Sequence, residues 1–156
     1  MAKQIKGSIS AKGLKIAIVA GRFNEVVTEK LVKGAVDCLE QHGCKTDDIN
    51  VIWVPGSFEI PIMAKKVVGS GNYDGVICAG AIIRGATPHF DYIAAETTKG
   101  IGQVSLQADI PVVYGVLTTD TVEQAMDRAG AKTGNKGWDS SMTLMEMSDL
   151  FRKMKK

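Results

Sequence analysis

The segment RGATPHFD, Arg84 to Asp91, combines the residue types needed to hold an anion and move a proton. Gly85 and Ala86 let the backbone approach a ligand closely. Thr87 is a helix N-cap type, and Pro88 suits the first helical position, where a missing N–H costs nothing. The free amides of such a helix start are a site for phosphate. His89 then falls in the first helical turn, and imidazole is the side chain best suited to passing protons near neutral pH. A lone histidine is usually a surface group bonded to a neighbour. After a phosphate-shaped turn at a strand end, His89 is the acid/base candidate.

Two other turns carry aromatic rings, Phe23 in GRFNE and Phe58 in GSFEIP. A single Phe in a wet loop usually tucks into the core or a subunit contact. Two at the same end of a sheet predict a stacking surface for a flat ring. Arg128 and Lys136 are further cations that either clamp the same phosphate or serve as a helix-end charge and a solvated loop charge. His42, just before Gly43, reads as a helix-end group.

These turns need a scaffold that puts them at one end. Four apolar runs rich in Val and Ile supply it: Leu14–Ala20, Ile49–Pro55, Gly75–Ala81 and Pro111–Thr118. They are continuous rather than alternating, as expected of strands buried on both faces. Helical patterns separate them. The first follows Asn24 as N-cap, with Val27, Leu31, Ala35 and Cys38 on one face and Gly43 closing it. The others run from about Ile60 to Val68, from Pro88 to about Gln107, from Asp120 to Gly130 with Glu123 completing a capping box, and from about Asp139 to Met154. Strands alternating with helices predict an α/β fold: a three-layer, flavodoxin-like sandwich with a four-stranded parallel central sheet and helices on both faces. In such a sheet ligands bind beyond the carboxyl ends of the strands, where all these turns lie.

The 156 residues suit a single domain, 1–156. Residues 1–12 form its N-terminal arm, the segment Gln4–Ile9 reading as a short strand that packs on a neighbouring subunit and protects its sheet edge. A composition of 45% hydrophobic and 23% charged residues is that of a soluble globular protein. A net charge of +2 gives no argument for nucleic acid or an acidic membrane as partner, and the basic tail Arg152–Lys156 reads as a solvated helix end. The three cysteines, Cys38, Cys44 and Cys78, have no CxxC spacing and read as buried thiols in a reducing cytoplasm. No apolar leader or membrane-length run is present in the sequence. There is no GxGxxG, no GxxxxGK[ST], no GxSxG, and no second ligand near either histidine, so neither a nucleotide cofactor nor a metal is expected.

The blocks GRFNE, VPGSFEIP, GAIIRGATPHFDYIAAE, GVLTTDTVEQAMDRAG and GNKGWD resemble, in order and spacing, the 6,7-dimethyl-8-ribityllumazine synthase family, over about Leu14 to Leu150. The resemblance implies the penultimate step of riboflavin biosynthesis. In it, 5-amino-6-(D-ribitylamino)uracil condenses with 3,4-dihydroxy-2-butanone 4-phosphate, releasing phosphate and water, with no organic cofactor or metal. It implies that Phe23 stacks on the pyrimidine, and that Ser57, Phe58, Glu59, Ala81, Ile82 and Ile83 hold the ring and ribityl chain. Ala86 and Thr87 would hold the phosphate with Arg128, His89 would transfer the proton, and Lys136 would assist near the phosphate. Tyr114 and Arg128 would come from the adjacent subunit of a pentamer. Tyr114 stands where the family usually has Phe, and Ser57 where Ala is common. The uninterrupted AGAKTGNKGWD segment resembles members that close twelve pentamers into a sixty-subunit shell, in which riboflavin synthase would be the cargo.

Overall fold

The computed structural model describes residues 1–155; Lys156, the end of the basic tail, lies outside the described residues. Four strands form one all-parallel sheet: β1 (Ile16–Gly21), β2 (Ile49–Val54), β3 (Gly75–Ile83) and β4 (Val112–Thr119), in the order β2-β1-β3-β4. Five α-helices accompany them: α1 (Glu25–Gln41), α2 (Ile60–Ser70), α3 (His89–Gln107), α4 (Val122–Arg128) and α5 (Lys136–Met154).

The continuous apolar runs follow from this arrangement. Every residue of β1 is buried, and so is all of β3 except Ile83. Successive side chains of β1 enter opposite cores. Ile16, Ile18 and Ala20 pack with Ala35, Leu39, Leu144 and Met145 of α1 and α5. Ala17 and Val19 pack with Ile60, Ala64, Val67 and Ile101 of α2 and α3. Each fully buried Ile or Leu contributes about 1.5–3 kcal/mol of burial energy. A third cluster, with Val27, Leu31, Ala81, Leu117 and Ala125, closes the carboxyl end of the sheet under α4. The α1 and α5 backbones approach so closely that a side chain at Gly137 would collide with the Leu31 carbonyl.

The four central strands and five helices expected are present, the expected short strand at Gln4–Ile9 is not formed within this chain, and several helix ends differ from expectation. Asn24 does not cap α1 with its side chain. It sits at φ 62°, and its Nδ2 instead donates to the Ala81 carbonyl at 2.8 Å. Helix α3 begins at His89, with Pro88 before it in helical geometry and no side-chain cap, so Thr87 is not the cap. The cap of α4 is Thr121, which accepts from the Gln124 N–H at 3.1 Å; Asp120 and Glu123 do not form the expected box. Helix α5 starts about one turn early because Asn135 Oδ1 accepts from the Gly137 and Trp138 amides. Lys136 is therefore the first residue of α5 and not part of a loop.

Among the described residues, the arm segment Gln4–Ile9 pairs with no strand. Its polar contacts go to α5. The Ser8 N–H donates to Asp149 Oδ2 at 2.8 Å, and Lys153 Nζ donates to the Lys6 carbonyl at 2.7 Å. A side chain at Gly7 would strike the Glu146 backbone, so this glycine lets the arm lie flat on the helix.

Candidate active site

The strand order reverses direction between β1 and β3, which opens a crevice at their carboxyl ends. A cavity of about 390 Å³ lies there. The turn after β1 supplies Phe23 and Asn24 to its lining, the turn after β2 supplies Pro55 to Glu59, and the end of β3 supplies Ala81, Ile82 and Ile83. The first turn of α3 and the one after it add His89, Phe90 and Ile93. The fold thus brings together Phe23, Ser57, Phe58, Glu59, Ala81, Ile82, Ile83 and His89 from four separate segments.

Local structure explains their presentation. The Arg22 and Phe23 amides donate to the Val54 and Pro55 carbonyls at 2.8 and 3.2 Å, so the turns after β1 and β2 are laced together. A 3-10 turn at Ser57–Glu59 follows β2 and precedes α2. Phe23 is 72% exposed and Phe58 57% exposed, although both could have been folded inward; each ring faces the crevice edge. Burial of Ser57 places its Oγ against Gly80, where an added Cβ would lie 3.0 Å away. The hydroxyl of Ser57 is therefore accommodated by the missing side chain of Gly80. Gly56 leaves similar room for Glu59, whose Oε2 would lie 3.2 Å from a Cβ at that position.

The turn Gly85–Pro88 is exposed, and so is His89. Helix α3 continues for 19 residues behind it, so the partial positive charge of its amino end faces this turn. No partner of Thr87 through its hydroxyl is found among the described residues, which leaves that hydroxyl free for a ligand. Arg84 flanks the turn, and its hydrogen bond to Asp120 holds its guanidinium more firmly in the charged form.

Three expected residues are placed elsewhere in the chain. Tyr114 and Lys136 line a different groove, of about 390 Å³, with Ser105, Asp139 and Phe151. The Tyr114 hydroxyl has a partner, Thr98 Oγ1 at 2.9 Å. Arg128 is exposed at the end of α4 and donates to the Gln124 carbonyl at 3.0 Å. Sequence reasoning missed Asn24, Pro55, Gly56, Phe90 and Ile93 as lining residues. Asn24 carried the signal of a polar residue directly after a strand, but its cap propensity masked it. Phe90 and Ile93 sit in helical positions that look like ordinary core.

The thiols lie away from this chemistry. Burial pushes Cys78 up to about 12, and burial with nearby Asp139 pushes Cys38 up to about 11. Cys44 is raised by burial and by Asp48 and Glu40. Among the described residues no group of His, Cys, Asp and Glu side chains is placed to hold a metal ion, and no helix is long and apolar enough to cross a membrane.

Residues 13–152 match the family described as 6,7-dimethyl-8-ribityllumazine synthase. Two proteins bearing that name, from two strains of Clostridium kluyveri, are each 55% identical to this chain over 152 residues. The match covers 97% of this chain and 99% of each relative.

Proposed function

This chain belongs to the 6,7-dimethyl-8-ribityllumazine synthase family, and we propose a division of labour among its residues for that family's reaction. It is an enzyme of riboflavin biosynthesis. It condenses 5-amino-6-(D-ribitylamino)uracil with 3,4-dihydroxy-2-butanone 4-phosphate to give 6,7-dimethyl-8-ribityllumazine, phosphate and water.

The observation that carries the assignment of roles is the convergence of Phe23, Phe58 and His89 on one crevice. Phe23 stacks on the pyrimidine. Ser57, Phe58 and Glu59, with Ala81, Ile82 and Ile83, hold the ring and ribityl chain through backbone groups and the Glu59 carboxylate. The phosphate sits at Gly85, Ala86 and Thr87 against the amino end of α3. The 5-amino group attacks the ketone, and loss of water gives an imine. His89 takes a proton from carbon, which drives out the phosphate dianion. Ring closure then expels a second water. The dianion that leaves is stabilised by the helix start and by Arg128, with Lys136 as helper. Holding two already reactive substrates in register supplies much of the rate.

Arg128, Lys136 and Tyr114 are not among the lining residues of the crevice. We infer that a second copy delivers them, which makes the catalytic unit a homo-oligomer. Exposed Val26, Ile62, Tyr92 and Val122 supply apolar surface for such contacts. The pentamer, and twelve pentamers in a shell of sixty, is the assembly we favour; native mass measures it, and a five- or ten-subunit species contradicts the shell. The arm, extended along α5, is available to pack on a neighbour. Three free buried thiols suit the reducing cytoplasm. Riboflavin synthase is the candidate cargo of a closed shell.

The test is direct. The purified protein is mixed with both substrates, and fluorescent lumazine is followed above the uncatalysed background. Rate enhancement that falls in Arg128→Ala supports the assignment. No enhancement from folded, assembled protein contradicts it and favours a binding or shell-forming role.

A further inference from the structure

Resting on the phosphate-turn reading above, we propose that Arg84 is a positioning residue for the phosphate-bearing substrate: it fixes both ends of the Gly85–Pro88 turn and offsets part of the negative charge of two carboxylates at its mouth. Arg84 directly follows β3, and its N–H donates to the Thr119 carbonyl at 2.9 Å, which prolongs the β3–β4 ladder. Its side chain therefore leaves from the end of the sheet. Nε donates to Asp120 Oδ1 at 2.9 Å, and Nη1 donates to Asp91 Oδ1 at 3.4 Å. The guanidinium carbon lies 4.3 Å from the centre of the Phe90 ring, a cation–π contact.

One side chain thus ties the residue before the turn to two residues in the first turn of α3 and to the strand end beside it. The turn has little else to define its width. Among the described residues the backbone bond next to it, from the Asp91 N–H to the Pro88 carbonyl at 3.0 Å, belongs to the start of α3 and does not span the turn. Phe90 also lines the crevice, so the same guanidinium sets the position of one crevice ring.

Charge gives the second part of the role. A phosphate held by the amides of this turn would face the carboxylates of Asp91 and Asp120, which repel it. Both carboxylates are bonded to Arg84. Exposed ion pairs of this kind add little to fold stability. Their effect is expected on binding of the dianion, and not on melting temperature.

Steady-state kinetics of Arg84→Gln tests this. We expect KM for the butanone phosphate to rise about five- to tenfold, with kcat and KM for the aminouracil within about twofold. Arg84→Lys keeps the charge and loses the planar fork, so its rise should be smaller. Adding Asp91→Asn and Asp120→Asn to Arg84→Gln removes the repelling charges and should recover most of the lost affinity. Native mass and melting temperature, measured on each variant, should match the unaltered protein. An unchanged KM in Arg84→Gln, an equal rise for both substrates, or no recovery in the triple variant would overturn the proposal. If the unaltered protein makes no lumazine, the parent reading and this one fall together. If it is active and sensitive to Arg128→Ala, only the role of Arg84 is at stake.

Discussion

The Tyr114 hydroxyl stands 2.9 Å from Thr98 Oγ1, a solvent-exposed bond that joins β4 to α3. It resolves one of the two departures from the family pattern that add a hydroxyl: the extra oxygen of Tyr114 has a partner. Tyr114→Phe should cost at most about 1 kcal/mol of stability, because Thr98 is exposed and water can replace the lost partner. Chemical denaturation measures this, and KM for the aminouracil should change by less than about twofold. A large loss of activity would mean that the hydroxyl itself touches substrate.

His89→Ala should slow turnover by about ten- to a hundredfold without abolishing it, because orientation in the crevice survives the loss of the imidazole. Arg128→Ala should be more damaging, since it strips a charge from the site of the departing dianion. Single-turnover rates on both variants order the effects. A fully inactive His89→Ala that still folds and binds substrate would contradict the weight placed on orientation.

Asp149 anchors the arm. It is only 7% exposed, and its ion pairs with Lys153 and Arg152 and its bond from the Ser8 amide hold it well below the usual carboxylate range. A depressed folded-state value means stability that is fully present above the unfolded value, about pH 3.9, and lost as pH falls toward the folded one. The melting temperature of Asp149→Asn should therefore lie below that of the unaltered protein by a constant amount from about pH 5 to 8, and the gap should close below about pH 4. A gap that does not change with pH would assign the effect to packing alone.

The three cysteines should resist alkylation in the native state. All are buried, and burial is the first cause that raises each thiol. The thiolate is the nucleophile, so little of it exists at neutral pH. Labelling with iodoacetamide, read by mass, should be slow in buffer and rapid in denaturant. Fast native labelling at any of them would show local opening.

The sheet was legible because its central strands are buried on both faces, and β1 and β3 carry unbroken apolar runs that no exposed element could keep. The gathering of residues at the candidate crevice was legible for a related reason: Phe23 and Phe58 are large apolar side chains placed in strand-end turns, and both line it. Helix ends were less legible. Asn24, Thr87 and Asp120 all have cap chemistry, yet tertiary partners decided which residues capped. Asn24 was drawn to the Ala81 carbonyl, while Asn135 took up the cap of α5. Arg84 could be seen in the sequence but not its three partners, because Asp91, Phe90 and Asp120 meet it only once β3, α3 and β4 are packed.

The central claim is that one reaction site is assembled from the crevice of one copy and Arg128 of another. Subunit mixing tests it most directly. His89→Ala and Arg128→Ala chains are co-refolded in equal amounts, and lumazine formation is compared with each variant alone. In random co-assembly about a quarter of the shared sites receive both intact residues, so activity should rise to about a quarter of the unaltered protein. Activity no higher than the mean of the two variants, in mixed assemblies verified by mass, would contradict the shared site.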